Sequence, residues 1–357
     1  MSDDHLSNEV SLSAELTERG VKAGAKSRTI SSIDRLLGGV VDLVNVPLER
    51  SARKGRAKTD AEVAVIEALG EKQLEAIHSD PGFAARAMEQ HLKVIGTRHE
   101  NKAEAVRAAL EDLRDSPPSE EQNNSGGEQL DEAFINRWER YAEDATSDKI
   151  REKWGRILAG EIRTPGTFSN KVMRVVDEME PTTALLFESL CVARVGITII
   201  GCLAPLIDYV DLKRLVAAGL LVDPGEVGQI CQSSEMSDGT GHKMNVISLG
   251  QVAIGLEIDQ KIESNRVFGI KTLSAPLTLH EGKPAIPVYL LTDVGHAISS
   301  ILTHDEMSTT ARYLLKLNAD RPNVRFREFR LSALGDYSLV KTWDATKVEP
   351  QPQPHPA

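Results

Sequence analysis

The clearest pattern of apolar and polar positions lies between residues 134 and 162, where apolar side chains recur at intervals of three and four residues. The first set is Phe134, Trp138, Tyr141 and Ala145, and the second is Ile150, Trp154, Ile157, Leu158 and Ile162. This spacing places each set on one face of a helix. The segment therefore predicts two amphipathic helices, which carry two of the three tryptophans of the chain.

A break follows the second helix at residues 164–166, because proline and glycine both interrupt helices. Thr167 or Ser169 can cap the next helix. Glu161 follows Trp154 by seven residues and so borders the apolar face. We interpret Glu161 as a structural carboxylate that folds back onto the exposed amides of the next helix, with a catalytic role as the alternative. The residues of this tryptophan motif are Trp138, Trp154, Leu158, Glu161, Pro165, Gly166 and Ser169.

Further upstream, residues 33–44 predict an apolar helix that Ser31 or Ser32 caps and that Pro47 interrupts. A basic cluster follows at once, and its members are Arg50, Arg53, Lys54, Arg56 and Lys58. An apolar helix beside basic residues is typical of a segment that lies on an anionic membrane surface. The other interpretation, which we favour, is a core helix followed by a solvated turn.

Residues 59–113 predict a helical hairpin, because an alanine-rich helical pattern is broken once, at residues 79–82. Along the second arm a coiled-coil seam is formed by Leu92, Ile95, His99, Ala103, Val106, Leu110 and Leu113. His99 lies on this seam. We interpret it as a histidine that is hydrogen-bonded at the edge of the core, and a pH or metal switch is the alternative.

From residue 181 the pattern changes to helices mixed with short strands. Residues 182–193 and 212–221 predict helices, residues 246–289 predict short strands, and Thr292 can cap a helix that continues to Ile301. This order is typical of a winged-helix module with a long insertion. The predicted fold is mainly α with a smaller α+β part: a helical hairpin N-terminal half, a helical middle and a winged-helix-like C-terminal region with inserted short strands.

Changes in composition divide the chain into six segments. Pro-Pro, Asn-Asn and Gly-Gly occur together with acidic side chains in residues 114–128, which indicates a linker. The C-terminal residues EPQPQPHPA are typical of a disordered or polyproline-like end. The predicted segments are a disordered tail (1–29), a helical hairpin domain (30–113), a linker (114–128), a tryptophan-bearing helical segment (129–180), a winged-helix-like α+β domain (181–343) and a second disordered tail (344–357).

The charge of the chain argues against specific binding of nucleic acid. The formal net charge is -11 and only 4% of the 357 residues are aromatic, which disfavours phosphate contacts and base stacking. Residues 181–303 contain eight Lys and Arg against twelve Asp and Glu. The helix best placed to enter a DNA groove offers only Lys213 and Arg214, beside Asp208 and Asp211, whereas a DNA reader presents a basic face. We therefore predict that the wing contacts protein.

Other classes of function lack their sequence signals. The three cysteines form no C-x-x-C pair, which favours free thiols in a reducing compartment. Residues 24–27 resemble the end of a Walker loop without its first glycine. His304, Asp305 and Glu306 are consecutive, so on a helix they point to different sides. The sequence predicts no cofactor, no metal site and no identifiable small-molecule substrate.

The sequence also indicates a compartment. The first thirty residues are polar and do not form a signal peptide. The longest uncharged apolar run, residues 195–207, is shorter than the roughly 20 residues that span a bilayer. We therefore expect a cytoplasmic protein, with peripheral contact to the inner membrane as the alternative.

The tryptophan motif resembles a known family. The segment WERYAEDATSDKIREKWGRILAGEIRTPGTFS, followed by VMRVVDEMEPTTALLFESLC, resembles the bacterial family called domain of unknown function 2806, most specifically over residues 130–191. This resemblance implies a bacterial protein and no particular activity. A more distant similarity, through Trp154, Leu158, Ala159, Pro165, Leu185 and Leu186, is to the Abi-alpha abortive-infection family. It implies a role in defence against phage.

Three hypotheses for function follow. The first is a non-enzymatic protein that acts through contacts with a protein partner or with itself, in phage defence or a stress response. The second is a winged-helix regulator that binds DNA. The third is an enzyme whose site is assembled from residues far apart in the sequence. A basic face around Lys213 and Arg214 would favour the second, and a deep pocket with converging polar groups would favour the third.

Overall fold

The computed structural model describes residues 28–29, 31–32, 35–36, 81–119, 122, 127, 129–225, 228–237, 241–262, 273–332 and 335–344. These residues belong to two compact units, Met1–Met173 and Arg174–Ala357, each of which is described by itself. The predicted basic cluster at residues 50–58, the first arm of the hairpin and the tail after residue 344 lie outside the described residues.

Among its described residues, the first unit includes the helices α1 (Pro81–Asp115), α2 (Glu132–Glu143) and α3 (Asp148–Arg163) and the start of α4 (Asn170–Glu178), together with helical residues between 28 and 36. Asp131 caps α2, because its carboxylate accepts a hydrogen bond from the Phe134 amide at 3.1 Å. Such a cap satisfies one of the amides that a helix leaves unpaired at its first turn. The two helices predicted around the tryptophans therefore correspond to α2 and α3.

Helices α1 and α3 approach each other closely at Gly155. A Cβ atom at Gly155 would lie 2.6 Å from Ala108 Cβ, 2.8 Å from the Ala105 carbonyl oxygen and 2.9 Å from the Ala109 amide nitrogen. Only a residue without a side chain fits at this distance. The small residues of both helices thus allow the α1 and α3 backbones to approach closely.

Both tryptophans of the motif are buried in the core of the first unit. The Trp138 side chain is fully buried, and its Nε1 donates a 2.8 Å hydrogen bond to the carbonyl oxygen of Trp154. The Trp154 ring is stacked on Tyr141, with the ring centres 4.8 Å apart. Trp138 therefore satisfies its polar atom on the backbone of α3, which joins the two helices through a hydrogen bond as well as through packing.

Two of the predicted apolar stripes are covered over only part of their length. Ile150, at the start of α3, is 39% exposed, so it does not share the buried face of Trp154. On α1 the seam is buried at Val106, Leu110 and Leu113, whereas Leu92 is 60% exposed. Both stripes lie on helices, as predicted, and their side chains are buried along only part of each helix.

One residue of the predicted N-terminal tail, Arg28, is packed into the first unit. Arg28 is buried, and its guanidinium donates hydrogen bonds to the carbonyl oxygens of Ile162, Gly127 and Gln122 at 2.9 to 3.0 Å. The hydroxyl groups of the two predicted helix caps, at residues 31 and 32, donate to the Arg28 carbonyl oxygen instead. Arg28, which lies within the predicted tail, is therefore held by three carbonyl groups of the first unit, and residues 1–27 lie outside the described residues.

The segment 114–128 connects helices within the first unit. α1 and α3 lie on either side of it in the sequence and are the most closely packed pair of helices in the unit. The Arg163 guanidinium, at the end of α3, donates to the Ser116 carbonyl oxygen at 2.9 Å and pairs with Asp112. The loop-forming composition therefore marks a connection inside the unit and not a boundary between units.

The second unit is a mixed α+β structure. Its helices are α5 (Pro181–Cys191), α6 (Tyr209–Ala217), α7 (Asp293–Ser300) and α8 (Glu306–Asp320). Its strands are β1 (Arg194–Val195), β2 (Thr198–Ile200), β3 (Gln229–Gln232), β4 (Ser234–Ser237), β5 (Lys243–Leu249), β6 (Val252–Glu257), β7 (Thr278–His280), β8 (Lys283–Leu290), β9 (Phe326–Leu331) and β10 (Tyr337–Trp343).

The strands form two antiparallel sheets. The first has the order β1-β2-β8-β3, with β7 also paired to β8, and the second has the order β10-β9-β6-β5-β4. The core side chains of both sheets belong to one apolar cluster with α8, which includes Ile247, Ile254, Ile286, Tyr313 and Phe326. The buried Tyr313 hydroxyl donates a 2.7 Å hydrogen bond to the Pro276 carbonyl oxygen, so the only polar atom of its side chain is satisfied.

The predicted cap of α7 occurs as the sequence indicates. The Thr292 hydroxyl accepts a 3.0 Å hydrogen bond from the Gly295 amide and donates to the Gly219 carbonyl oxygen at 2.5 Å. A Cβ atom at Gly295 would lie only 2.0 Å from the Leu220 carbonyl oxygen. The threonine thus caps the helix, and the glycine permits α7 to pack on the chain that follows α6.

The prediction of an α+β C-terminal region is confirmed, but the sequence pattern did not define the elements from residue 306 onward. This part contains α8, β9 and β10, and β9 pairs with β6 in the second sheet. The described fold is therefore mixed α+β, with more sheet than the sequence indicated. None of the described helices combines the length and the apolar character that crossing a membrane requires.

Candidate functional site: the exposed face of helix α6

Helix α6 is fixed at both ends and by one buried residue. Asp208 caps its start, because the carboxylate accepts a 2.8 Å hydrogen bond from the Asp211 amide. Gly219 follows its end with a φ angle of 74°, a left-handed conformation that glycine adopts without strain. Leu215 is fully buried and anchors the inner side of the helix. The remaining faces of α6 are thus held in a defined orientation.

Three large apolar side chains are exposed at the start of α6. Leu206 is 73% exposed, Tyr209 is 67% exposed and Val210 is 65% exposed. They lie within five consecutive positions of the chain. Single exposed apolar residues are common on protein surfaces, whereas a large contiguous apolar patch is not. We call this group, with the ion pairs beside it, the α6 surface.

The two basic side chains of α6 are both bound to aspartates. Lys213 Nζ lies 2.7 Å from an oxygen of Asp223 and 5.4 Å from the centre of the Tyr209 ring. Arg214 lies 2.8 Å from an oxygen of Asp211. Each cation therefore already has a carboxylate partner, and a phosphate group would have to compete with it.

The ion pair between Lys213 and Asp223 also affects the titration of both groups. The hydrogen bond to Asp223 raises the pKa of Lys213 above its usual value. The same bond, together with the Gly225 amide, lowers the pKa of Asp223. Both shifts of pKa favour the charged forms of Lys213 and Asp223.

The second unit also contains a polar cluster around Arg194, beside a cavity of about 270 Å³. The Arg194 guanidinium donates to Ser299 Oγ and lies 3.7 Å from a Glu306 oxygen. The Glu306 carboxylate also accepts the Gly196 amide at 3.1 Å. These contacts join α7, α8 and β1, so the cluster holds the elements of the unit together.

The three consecutive residues His304, Asp305 and Glu306 have separate partners. His304 Nε2 lies 2.7 Å from the Arg194 carbonyl oxygen, and Asp305 caps α8 by accepting from the Ser308 amide at 3.1 Å. Within the described residues no group of three His, Cys, Asp or Glu side chains is placed to hold a metal ion. These partners give His304, Asp305 and Glu306 structural roles at the start of α8.

The tryptophan motif lies in the first unit, and its carboxylate binds a turn. Glu161 Oε1 accepts the Gly166 amide at 2.6 Å, and Oε2 accepts the Phe168 amide at 2.9 Å. Both amides precede α4, so the carboxylate binds the turn before the helix and not its first turn. Ser169 takes the cap position, with its hydroxyl 3.4 Å from the Val172 amide.

Burial and hydrogen bonding act in opposite directions on Glu161. The side chain is 2% exposed, and this burial raises the pKa of the carboxyl group above its usual value. The amides of Gly166, Phe168 and Thr167 offset part of this effect on the pKa, because they stabilise the ionised form. Leu158 is buried beside it, Pro165 is half-buried and Gly166 is exposed with a φ angle of 90°. The Glu161 carboxylate therefore closes the loop between α3 and α4.

Sequence reasoning missed two residues of structural importance, Gly155 and Arg28. Gly155 could have been found from the alanines at positions 105, 108 and 109, because small residues at helical spacing allow two helices to approach closely. Arg28 gave no signal, since a single arginine in a polar stretch does not reveal three carbonyl partners distant in the sequence. The basic cluster Arg50, Arg53, Lys54, Arg56 and Lys58 lies outside the described residues.

One comparison with known proteins gives a match. Residues 95–199 match the model of a family described as protein of unknown function, DUF2806. The matched range contains the tryptophan motif, the second half of α1 and α5, whereas α6 and α7 lie beyond it. Neither the curated proteins nor the solved structures include a match to this chain.

Proposed function

We propose that the chain acts through protein contacts, with the α6 surface as the docking site for an apolar surface of a partner protein. The observation that carries this proposal is the combination of three exposed apolar side chains with two cations that are already paired. Apolar and aromatic side chains supply most of the binding energy at protein interfaces. The arrangement suits a protein partner better than a nucleic acid.

Specific DNA binding is the less favoured function. Phosphate contacts from Lys and Arg supply a large share of the affinity of DNA complexes. On α6 such contacts would have to break the pairs of Lys213 with Asp223 and of Arg214 with Asp211. We therefore expect no discrete complex with duplex DNA at physiological salt in a gel-shift titration. A competitor-resistant complex at nanomolar protein would favour the winged-helix regulator instead.

An enzymatic function has less support than protein binding. Most polar groups of the Arg194 cluster bind one another or the backbone, and Arg194 Nε is buried 3.7 Å from a Glu306 oxygen without a hydrogen bond. The neighbouring cavity of about 270 Å³ is small for a substrate site. The carboxylate of Glu161 is bound to two amides of its own turn. Neither group is free to act on a substrate in this conformation.

The proposal is tested by comparing two variants of the full chain as baits in its native host. In the first, Leu206, Tyr209 and Val210 are replaced by serine. In the control, Leu315 of α8, which is 59% exposed, is replaced by serine. We expect a stoichiometric partner with the wild type and the control that is lost with the triple variant. Recovery of the same proteins with all three baits would contradict the proposal.

We further propose phage defence as the cellular setting, on the basis of the resemblance to the Abi-alpha family. Trp154 and Leu158, which carry that resemblance, are buried core residues, so they support a similar fold more than a similar action. Plating efficiency of phage on hosts with the wild-type chain, the triple variant or no copy tests the setting. Equal efficiency on all three hosts, across several phages, would contradict it.

A further inference from the structure

The longest edge strand of the two sheets, among the described residues, is β10. The ends of the two sheet orders are formed by β1, β3, β4 and β10. β1 contains two residues, β3 and β4 contain four each, and β10 contains seven. An edge strand carries unpaired N–H and C=O groups, which can pair with a strand of another molecule. Of these four edges, β10 therefore offers the longest row of such groups.

The side chains of β10 also favour pairing. Its sequence, YSLVKTW, combines aromatic and β-branched residues, which are common in strands. Leu339 is 57% exposed and Val340 is 49% exposed. The other edge of the second sheet, β4, has the short and more polar sequence SEMS. Since an exposed apolar edge strand promotes aggregation, the risk of unwanted pairing in the second sheet is greatest at β10.

β10 carries one charged side chain, that of Lys341. Lys341 faces Glu328 of β9, and its Nζ lies 4.3 Å from the centre of the Trp343 ring. Trp343 Nε1 in turn donates a 3.0 Å hydrogen bond to the Glu328 carboxylate. A cation over an aromatic ring is attracted by the ring, so the ammonium group is held beside the strand. Lysine on an edge strand is one of the features by which natural sheets avoid pairing with other molecules.

The middle of β10 also departs from regular pairing. Leu339 faces Phe329 and Lys341 faces Glu328, which are adjacent residues of β9, so Val340 has no partner in this register. Such a β-bulge bends the strand and increases its twist. The outer edge of β10 is therefore a poor template for a second, regular strand at its centre.

An edge-to-edge pair of two copies would bring the two Lys341 side chains close together. In an antiparallel pair centred on Val340, Lys341 of each copy would face Leu339 of the other. The Cα atoms of the two lysines would then lie about 8 Å apart, given a rise of about 3.3 Å per residue and about 4.8 Å between strands. Long side chains still interact at this diagonal separation, and like charges on neighbouring strands oppose pairing. Pairing would therefore place two cations in mutual repulsion.

We propose that Lys341 prevents the exposed edge of β10 from pairing with β10 of a second copy of this chain. The bulge at Val340 acts in the same direction, because it bends the edge. This role of Lys341 does not depend on the function proposed for the α6 surface.

Light scattering of the full chain at increasing protein concentration tests this role. The variants are K341V and K341Q, which remove the charge, and K341R, which keeps it. We expect K341V and K341Q to associate at about tenfold lower protein concentration than the wild type, the effect of two unfavourable cross-strand pairs per dimer. K341R should behave as the wild type. Thermal unfolding followed by circular dichroism shows that each variant is folded, and the exposed position 341 should tolerate all three replacements.

A matched control is Lys243, another exposed lysine on a strand. Its side chain is 66% exposed, but β5 lies between β4 and β6 and so has no free edge. We expect K243V to behave as the wild type. Association of K243V to the same degree as K341V would overturn the proposal, because added apolar surface would then be the cause. Association of K341Q at the same concentration as the wild type would also overturn it, even if K341V associates more readily, since the lost charge would then have no effect.

Discussion

Helices α3 and α6 both carry large apolar side chains, but those of α3 are buried and those at the start of α6 are exposed. In α3 the apolar residues Trp154, Ile157 and Leu158 are buried, with exposed fractions of 2% or less. In α6 the apolar residues Tyr209 and Val210 are largely exposed. Both helices begin with an acidic residue in the first turn. Apolar spacing therefore identifies a helix and its apolar residues. The neighbouring elements decide whether those residues are buried in a core or exposed on the surface.

The largest expected effect is on the α3 side of this comparison. Trp154→Ala should lower the free energy of unfolding by about 3 to 5 kcal/mol, because it removes a buried indole and leaves a cavity beside Tyr141. Urea unfolding followed by far-ultraviolet circular dichroism measures this. A midpoint within experimental error of the wild type would show that Trp154 is no more important than an exposed residue.

The next effect is expected at the contact of α3 with α1. Gly155→Ala should destabilise the protein by about 1 to 3 kcal/mol, since its Cβ would lie 2.6 Å from Ala108 Cβ and 2.8 Å from the Ala105 carbonyl oxygen. Gly166→Ala is a useful control, because its Cβ would meet no atom within 4 Å and its cost arises from the φ angle alone. Thermal unfolding of both variants separates the two causes. Stability of Gly155→Ala equal to the wild type would mean that the helices move apart freely.

A smaller, pH-dependent effect is expected for Glu161. Its pKa is raised in the folded state, so the folded protein holds the proton more tightly than the unfolded chain. The corresponding stability is complete below the usual carboxyl pKa and is lost as the pH rises through the raised value, with about 1.4 kcal/mol for each tenfold difference in proton affinity between the two states. Relative to Glu161→Gln, the wild type should therefore become less stable over this range. A difference that changes in the opposite direction would show that the amide hydrogen bonds outweigh burial.

The smallest effect on stability is expected on the α6 surface. Tyr209→Ser and Val210→Ser should change the free energy of unfolding by less than about 0.5 kcal/mol, because both side chains are exposed. Leu215→Ser, on the buried side of the same helix, is the matched control and should be strongly destabilising. Chemical unfolding of the three variants gives the test. A large loss of stability on replacement of Tyr209 would show that its side chain belongs to the core and not to the docking surface.

Several features followed from the sequence because they depend on local chemistry. The spacing of apolar residues located α2 and α3, and proline and glycine located the break after Glu161. Thr292 was identified as a cap, because a hydroxyl group before a helical pattern satisfies the amides of the first turn. The matched family range over residues 95–199 agrees with the resemblance seen in the tryptophan motif.

The features that could not be predicted depend on groups far apart in the chain. Arg28 binds carbonyl oxygens that are 94 to 134 residues away, and no local pattern encodes such partners. The linker composition of residues 114–128 gave no information on the packing of α1 against α3. For α6, the sequence supplied both the basic residues and the aspartates, but not their pairing.

The helices around the tryptophans, the Thr292 cap, the break after Glu161 and the acidic charge balance could therefore be read from the amino-acid sequence, since these depend on neighbours within about four residues or on composition alone. The burial of the apolar face of α3, the exposure of Tyr209 and Val210 on α6, the pairing of Lys213 and Arg214 with aspartates and the close approach of α1 to α3 at Gly155 became visible in the folded chain alone. Burial and ion pairing depend on the positions of other helices and strands, which bring together residues that are distant in the sequence.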